Sequence, residues 1–274
     1  MRLRFQSAPA GPAVRPPAVA GQFYPADPDE LRSEVNGFIA AAKTASGQIP
    51  KAIIAPHAGY PYSGPIAGSA YACLAHGRNR IKRVVLLGPS HFVGFDGLAA
   101  SSATVFQSPL GPVSVDEEAL TRIRALPQVT TLDAAHRDEH SLEVHLPFLQ
   151  IALGDFRLVP LVVGDATPEQ VGGVLNELWD GDETGIVISS DLSHFHDYAA
   201  AQRIDHATAG IIESLNWQGL EGHQACGCHP IGGLLWSAKA RGLRCHTVDL
   251  RNSGDTSGHR DRVVGYGAFV FTED

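Results

Sequence analysis

Three histidines, His57, His91 and His194, each lie a few residues beyond the end of a short apolar run. If these runs are parallel strands of an open α/β sheet, their carboxyl ends meet at one edge, where such sheets bind ligands. Imidazole is a common ligand of transition metals and also the usual acid or base near neutral pH. A single histidine of this kind more often hydrogen-bonds within its loop, but three together favour a shared site. With Asp191, in the same segment as His194, they predict one metal-type pocket.

A second cluster contains His140, Glu143 and His145, just before Leu146 and Pro147. On a helix, His140 and Glu143 would share one face because residues three apart are neighbours there. The cluster is not the zincin motif, in which two histidines four apart flank a glutamate. Two interpretations stay open: part of a site, or the polar start of a helix.

A third cluster contains Cys226, Cys228 and His229, followed by Pro230. Proline suits the first turn of a helix, so the cysteines are expected just before a helix N-terminus, where a thiolate is stabilised. A metal thiolate, a redox pair and two small buried thiols all remain open, because one Cys-X-Cys pair is a weak zinc signal.

The elements that must position these residues follow an alternating pattern. Continuous apolar runs, typical of buried strands, lie at residues 51–55, 83–87, 157–163, 185–189 and 263–271. Helices are predicted for about 15 residues from Asp27 and at residues 64–76, 198–215 and 229–241, while 99–102 and 245–250 suit edge strands or hairpins. This alternation predicts one α/β domain with a mainly parallel or mixed central sheet and helices on both faces. We expect residues 1–20, rich in Pro and Ala, to be a loose lead segment and 21–274 to form the domain.

Composition limits the possible functions. The chain has 274 residues, 44% of them hydrophobic, and a net charge of -8, which disfavours non-specific nucleic-acid binding. No apolar run approaches the roughly 18 residues of a membrane-spanning helix, and the N-terminus lacks the apolar core of a signal peptide. Four cysteines are too few for a disulfide scaffold. No nucleotide-binding or hydrolase loop motif is present. We expect a soluble cytoplasmic protein without nucleic-acid or membrane partners.

Six segments in order resemble the Memo family, whose bacterial and archaeal members are called AmmeMemoRadiSam system protein B. They are residues 20–25 (AGQFYP), 54–60 (IAPHAGY), 87–91 (LGPSH), 138–147 (DEHSLEVHLP), 189–194 (SSDLSH) and 226–232 (CGCHPIG). The resemblance covers the chain from about residue 20 to its end. It implies a fold like that of the class III non-haem iron extradiol dioxygenases.

The resemblance also implies a division of roles. His57, His91 and Cys226 match the family's metal ligands, with Fe(II) expected and Cu or Zn as alternatives. Asp191 and His194 match catalytic positions, with His194 as the acid or base. The pocket wall and outer shell would contain the remaining residues of the clusters, namely His140, Glu143, His145, Cys228 and His229. We expect Asp191 or Glu143 to accept the second N–H of a ligating imidazole.

The function implied is that of a metal-binding, dioxygenase-like redox protein, and any enzyme activity would be that of a metal-dependent oxidoreductase. The dioxygenases have a glutamate where this chain has Cys226, so ring cleavage does not follow from the resemblance. Two alternatives stay open: a non-catalytic protein that binds the partners of the AmmeMemoRadiSam system, which are a radical SAM enzyme and an AMMECR-type protein, and a zinc-dependent hydrolase. Cys228 adds the option of a disulfide or a second thiolate ligand.

Overall fold

The computed structural model describes residues 13–42 and 47–273. The strands are β1 (Val14–Arg15), β2 (Ala52–Ala55), β3 (Arg83–Pro89), β4 (Leu98–Ala100), β5 (Val105–Ser108), β6 (Gly111–Ser114), β7 (Val129–Thr131), β8 (Arg157–Val163), β9 (Thr184–Ser189), β10 (His194–His196), β11 (Arg244–Asn252) and β12 (Val263–Thr272). The α-helices are α1 (Pro28–Ala41), α2 (Tyr60–Leu74), α3 (Glu117–Ile123), α4 (Asp133–Arg137), α5 (Leu146–Leu153), α6 (Pro168–Glu177), α7 (Tyr198–Glu213), α8 (Cys228–Arg241) and α9 (Ser253–Thr256). Short 3-10 turns lie at Ala75–Gly77, Glu143–His145 and Trp217–Gly219.

A nine-stranded mixed sheet organises the domain. Its order is β10-β12-β2-β9-β3-β8-β4-β7, with β11 paired to β12. The four central strands, β2, β9, β3 and β8, are parallel to one another, and β12 and β4 join them antiparallel on either side. The side chains of β2 and β9 are buried throughout, as the unbroken apolar runs predict. The predicted single α/β domain with a mixed sheet is confirmed.

Helices cover the sheet in two groups. Helices α1, α2 and α5 pack against one another, and α6 and α8 form a second group with α3. The α6–α8 contact is close because glycines face it: a Cβ on Gly233 would overlap the side chain of Val171, and one on Gly172 would overlap the Trp236 ring. This contact fixes α8, whose first residue follows the Cys226-Gly227 pair.

The helix predicted at residues 64–76 begins earlier, at Tyr60. Pro61 lies in its first turn, where a missing N–H leaves no intrahelical hydrogen bond unmade. Helix α1 begins as predicted, since the Asp27 carboxylate accepts the N–H groups of Asp29 and Glu30 at 3.0 and 2.9 Å.

The N-terminal segment differs from its prediction. Residues 1–12 lie outside the described residues, but β1 forms a three-stranded sheet with β5 and β6. Arg15 and Val19 are buried. The prediction of a loose segment as far as residue 20 is therefore wrong for residues 13–20, whose order comes from contacts with distant parts of the chain that no local pattern reveals.

No helix in the described part of the chain is both long enough and apolar enough to span a bilayer.

Replacing Gly233 by alanine should destabilise the protein by about 1–3 kcal/mol, because the added methyl group overpacks the α6–α8 contact. Gly210→Ala is the matched control: no atom lies within 4 Å of the added Cβ in α7, so alanine should stabilise that helix by up to about 1 kcal/mol. Urea unfolding of both variants measures the two effects. Equal changes in the free energy of unfolding would contradict the packing argument.

Candidate metal centre

The centre lies beyond the carboxyl ends of three neighbouring strands. His57 follows β2, Asp191 follows β9 and His91 follows β3, and β9 lies between the other two strands. Cys226 joins them from the segment before α8, where its N–H donates to the Asp191 carbonyl at 3.3 Å. The sheet order therefore brings together residues that are far apart in the chain.

His57, His91 and Cys226 offer one group of potential ligand atoms. These atoms all lie within 4.8 Å of one another, and His57 Nε2 is 3.4 Å from Cys226 Sγ. Two ligands of one tetrahedral ion at zinc-like bond lengths of 2.0–2.3 Å are about 3.5 Å apart. The His57–Cys226 pair fits that spacing without rearrangement, so the residues implied by the resemblance suit a bound transition-metal ion.

Hydrogen bonding fixes the His57 ring. Ser189 Oγ lies 2.6 Å from His57 Nδ1 and donates its own hydrogen to the Ser141 carbonyl at 2.6 Å. The serine oxygen must then accept from His57 Nδ1–H, which leaves the Nε2 lone pair facing Cys226. This is the tautomer that a ligating imidazole needs.

Glu139 fixes the His91 ring by hydrogen bonding, as Ser189 fixes the His57 ring. Its carboxylate lies 2.8 Å from His91 Nδ1 and accepts the backbone N–H groups of His91 and Ser141 at 2.6 and 2.9 Å. Burial alone would raise the pKa of Glu139, but the hydrogen bonds that its carboxylate accepts from His91 and Ser141 outweigh burial and lower the pKa to about 2. Glu139 is therefore an ionised acceptor that orients the His91 ring.

Sequence reasoning missed Glu139. It selected His140 and Glu143 because they would share a helical face, but residues 138–142 are not helical. The available signal was a carboxylate directly before a histidine in a histidine-rich segment. The expectation that Asp191 or Glu143 accepts from a ligand imidazole is wrong, because Ser189 and Glu139 fill these places.

His140 lies against both candidate histidine ligands. Its ring stacks on His91 with centroids 4.6 Å apart and contacts Phe23 at 4.8 Å. Burial lowers the pKa of His140 to about 4, so the ring is neutral at pH 7. His91, Glu139 and His140 also form a second group with ligand atoms within 4.8 Å.

Asp191 and His194 lie at the same edge with different contacts. The Asp191 carboxylate accepts the backbone N–H of His57 at 2.8 Å, and burial raises the pKa of Asp191 to about 7. His194 begins β10 and pairs with Val264 of β12. It belongs to neither group of ligand atoms found in the described part of the chain. Burial lowers the pKa of His194.

Glu143 and His145 lie behind the site. The Glu143 carboxylate binds the N-terminal segment, where its partners include Tyr24 Oη at 2.6 Å. His145 Nδ1 lies 2.9 Å from Tyr71 Oη, and burial lowers the pKa of His145 to about 3. Both side chains support the wall from the core and do not hydrogen-bond to a ligand candidate.

Cys226, just before α8, and Cys228, the first residue of α8, differ in their surroundings. Burial, reinforced by the nearby Asp191 carboxylate, raises the pKa of Cys226, so the metal-free protein holds a thiol there. The predicted thiolate stabilisation of Cys226 is wrong without a cation, because burial outweighs the hydrogen bonds that would lower its pKa; metal binding would have to displace the proton. Cys228 is partly buried and outside the ligand group, and no disulfide joins any of the four cysteines. His229 Nδ1 lies 2.7 Å from the Ala166 carbonyl, away from the ligand set.

Two exposed aromatic rings contact histidines of the site: Phe92 lies 6.0 Å from His140 and Phe195 lies 5.7 Å from His194, between ring centroids. Tyr62, Phe92 and Phe195 are 46%, 63% and 61% exposed, and each lies close in sequence to a site residue. Phe195 holds a left-handed backbone with φ of 64°, and the Arg262 guanidinium lies 4.9 Å from its ring centroid. A non-glycine residue in this region is strained, and such strain is concentrated at functional sites.

Comparison with known proteins finds a matching family, proteins similar in sequence and a solved structure with a similar fold. A family model described as Memo-like protein matches residues 15–270. A MEMO1 family protein of Archaeoglobus fulgidus is 35% identical over 271 residues, which cover 94% of this chain and 99% of the relative. One of Aquifex aeolicus is 37% identical over 273 residues, with the same coverage. The crystal structure of the uncharacterized protein JW3007 from Escherichia coli K12 shares the fold, with a TM-score of 0.53 and 13% identity, over 81% of this chain and all of that one.

The buried histidines should make the metal-free protein sensitive to acid, and His136 allows a test away from the ligands. Its Nε2–H donates to the Ala99 carbonyl at 2.9 Å, and burial lowers the pKa of His136 to about 4. The unfolded chain takes up this proton near pH 6.5 and the folded one only near 4, so the free energy of unfolding falls as pH drops between these values. When the pH is lowered from 7 to 5, the free energy of unfolding of His136→Gln should fall by about 2 kcal/mol less than that of wild type.

Urea unfolding at the two pH values measures this difference. His246→Gln, on the exposed surface of β11, is the control and should lose as much as wild type. Parallel losses in all three proteins would refute the assignment of the buried neutral His136.

Proposed function

The chain belongs to the Memo-like protein family, and we propose that it is a metal-binding redox protein in which His57, His91 and Cys226 hold an iron or copper ion. One observation carries the proposal: the ligand atoms of these three residues lie within 4.8 Å of one another. The second nitrogen of each imidazole is engaged by Ser189 or Glu139.

The donor set restricts the choice of ion. Two imidazoles and a thiolate suit iron, copper and zinc, whereas magnesium and calcium prefer oxygen ligands. Among these, the Memo resemblance favours Fe(II). A bound iron or copper ion supplies one-electron and O₂ chemistry, which the side chains of this protein lack.

The protein's own residues would orient the ligands and handle protons. The Asp191 carboxylate holds the backbone of His57, and the Asp191 N–H lies 3.3 Å from Cys226 Sγ, so one residue touches two ligands. His194, partly buried at the same sheet edge, is the proposed acid or base. His91 is the exposed member of the ligand set and defines the side from which a small molecule would enter.

Metal analysis of anaerobically purified protein tests the ligand set. Wild type should contain close to one equivalent of iron or copper, and Cys226→Ala should lose most of it because the remaining imidazoles lack the thiolate. Cys228→Ala is the matched control, since it removes a partly buried thiol two residues away that is outside the ligand group, and it should retain the metal. Equal metal contents in wild type and Cys226→Ala would overturn the assignment, and stoichiometric zinc would redirect it to a hydrolase.

O₂ uptake by the iron-loaded protein tests the redox role. The proposal expects substrate-dependent uptake with at least one member of a panel of small reductants and catechols. His194→Gln should reduce the rate at unchanged iron content, because it removes the acid or base and leaves the ligands in place. A loaded protein without uptake would support a non-catalytic role.

The exposed Tyr62, Phe92 and Phe195 favour one second candidate, a partner-binding function. Exposed aromatic groups beside a site are typical of interaction surfaces. The proposed partner is a radical SAM enzyme, with an AMMECR-type protein as a third component. Co-purification with the co-expressed partner should be reduced by Phe92→Ser and unchanged by Val14→Ser, which alters an exposed apolar residue on β1. Equal recovery of the partner with wild type, Phe92→Ser and Val14→Ser would count against an interaction surface at Phe92.

A further inference from the structure

Arg15 joins the N-terminal segment to the loop that carries Glu139. It is 6% exposed. Its Nε donates to the His136 carbonyl at 3.0 Å, one Nη donates to the Glu139 carbonyl at 2.6 Å, and the other binds the Glu143 carboxylate. All three acceptors belong to one stretch of eight residues, 136–143. Because the guanidinium is a rigid fork, these bonds fix the course of that stretch.

Glu143 completes the junction from the other side. It is fully buried, and its carboxylate accepts the N–H groups of Ala18 and Val19 at 2.7 and 2.9 Å, as well as the Tyr24 hydroxyl. Together with Arg15, these donors all come from residues 15–24. We call residues 13–24 the N-terminal clasp.

The clasp reaches both histidine loops. The Phe23 ring packs against His140, and the Phe23 carbonyl accepts the N–H of Tyr60 at 2.7 Å, just beyond His57 in the chain. Only Glu139 lies between Arg15 and the proposed metal ligand His91. Arg15 holds the Glu139 backbone, and the Glu139 carboxylate holds both the backbone N–H and Nδ1 of His91.

We propose that Arg15 is a positioning residue: through Glu139, it holds the His91 ring in its ligating orientation, and the N-terminal clasp thereby sets the metal affinity of the site. The proposal rests on the metal-binding function proposed above. A buried ion pair adds little stability compared with apolar residues of similar volume, so stability alone does not explain why these bonds converge on the loop that orients His91.

The test uses Arg15→Met/Glu143→Gln, which removes both charges together so that no unpaired charge is left buried. Arg83→Met/Asp116→Asn is the matched control. It removes an Arg–Asp pair of 2.7 Å at the opposite end of β3 from His91. Urea unfolding verifies that both proteins are folded and gives their losses of stability.

Co²⁺ binding is the first measurement, by competition with a chelator and by the visible thiolate and ligand-field bands. Arg15→Met/Glu143→Gln should bind Co²⁺ about 10- to 100-fold more weakly than wild type, as is typical when a group that orients a ligand is lost. Its bands should shift, whereas the Arg83 control should match wild type. In a Glu139→Gln background, the Arg15/Glu143 change should weaken Co²⁺ binding little further, because both changes act on the hydrogen bond between Glu139 and His91. Wild-type affinity in the folded variant, or fully additive losses, would overturn the proposal.

A second measurement needs no metal. In long-range ¹H–¹⁵N spectra of the metal-free protein, His91 should be the Nδ1–H tautomer in wild type and in the Arg83 control, and a mixture of tautomers in Arg15→Met/Glu143→Gln. An unchanged His91 tautomer in that variant refutes the link from Arg15 to His91. Failure of wild type to bind Co²⁺ would instead count against the proposed metal-binding function, while the tautomer measurement still decides the role of Arg15.

Discussion

The candidate site depends on one requirement: a ligating imidazole must have its second nitrogen hydrogen-bonded, so that the lone pair of the first is fixed in direction. Ser189 meets this requirement for His57 and Glu139 meets it for His91. Ser189 ends β9, the strand between those that lead to the two histidines, so the parallel sheet positions a ligand and its acceptor side by side. Glu139 lies in an irregular segment, and hydrogen bonds from the N-terminal clasp fix the conformation of that segment.

The parts of the fold that could be predicted from sequence are those with a local physical signal. Strands such as β8 and β9 are continuous apolar runs because both faces of the sheet are covered, and α1 is marked by Asp27 and Pro28. The position of His57 and His91 at strand ends was enough to place them at one edge. Cys226 lies at no strand end; its cluster left a metal thiolate open, and only the resemblance to the Memo family joined it to the two histidines.

The remaining features arise from contacts between distant residues. Arg15 lies in a segment without periodicity, and its partners lie 121 to 128 residues further along the chain. Glu139 gains its role from the fold of its own loop rather than from helical spacing, so a helical interpretation selected Glu143 instead. The same burial that protonates Cys226 keeps His140 and His145 neutral. Such shifts follow from the surroundings of each group, which the residue types do not reveal.

The separation of the ligand residues along the chain also has a consequence for biosynthesis. His57 and Cys226 are 169 residues apart, and closing so long a loop costs entropy that only the assembled sheet offsets. Synthesis proceeds from the N-terminus, so the first histidine leaves the ribosome long before the thiol that completes the set. A growing chain therefore cannot bind a cation with the native donor set until Cys226 has been synthesised and the sheet has assembled.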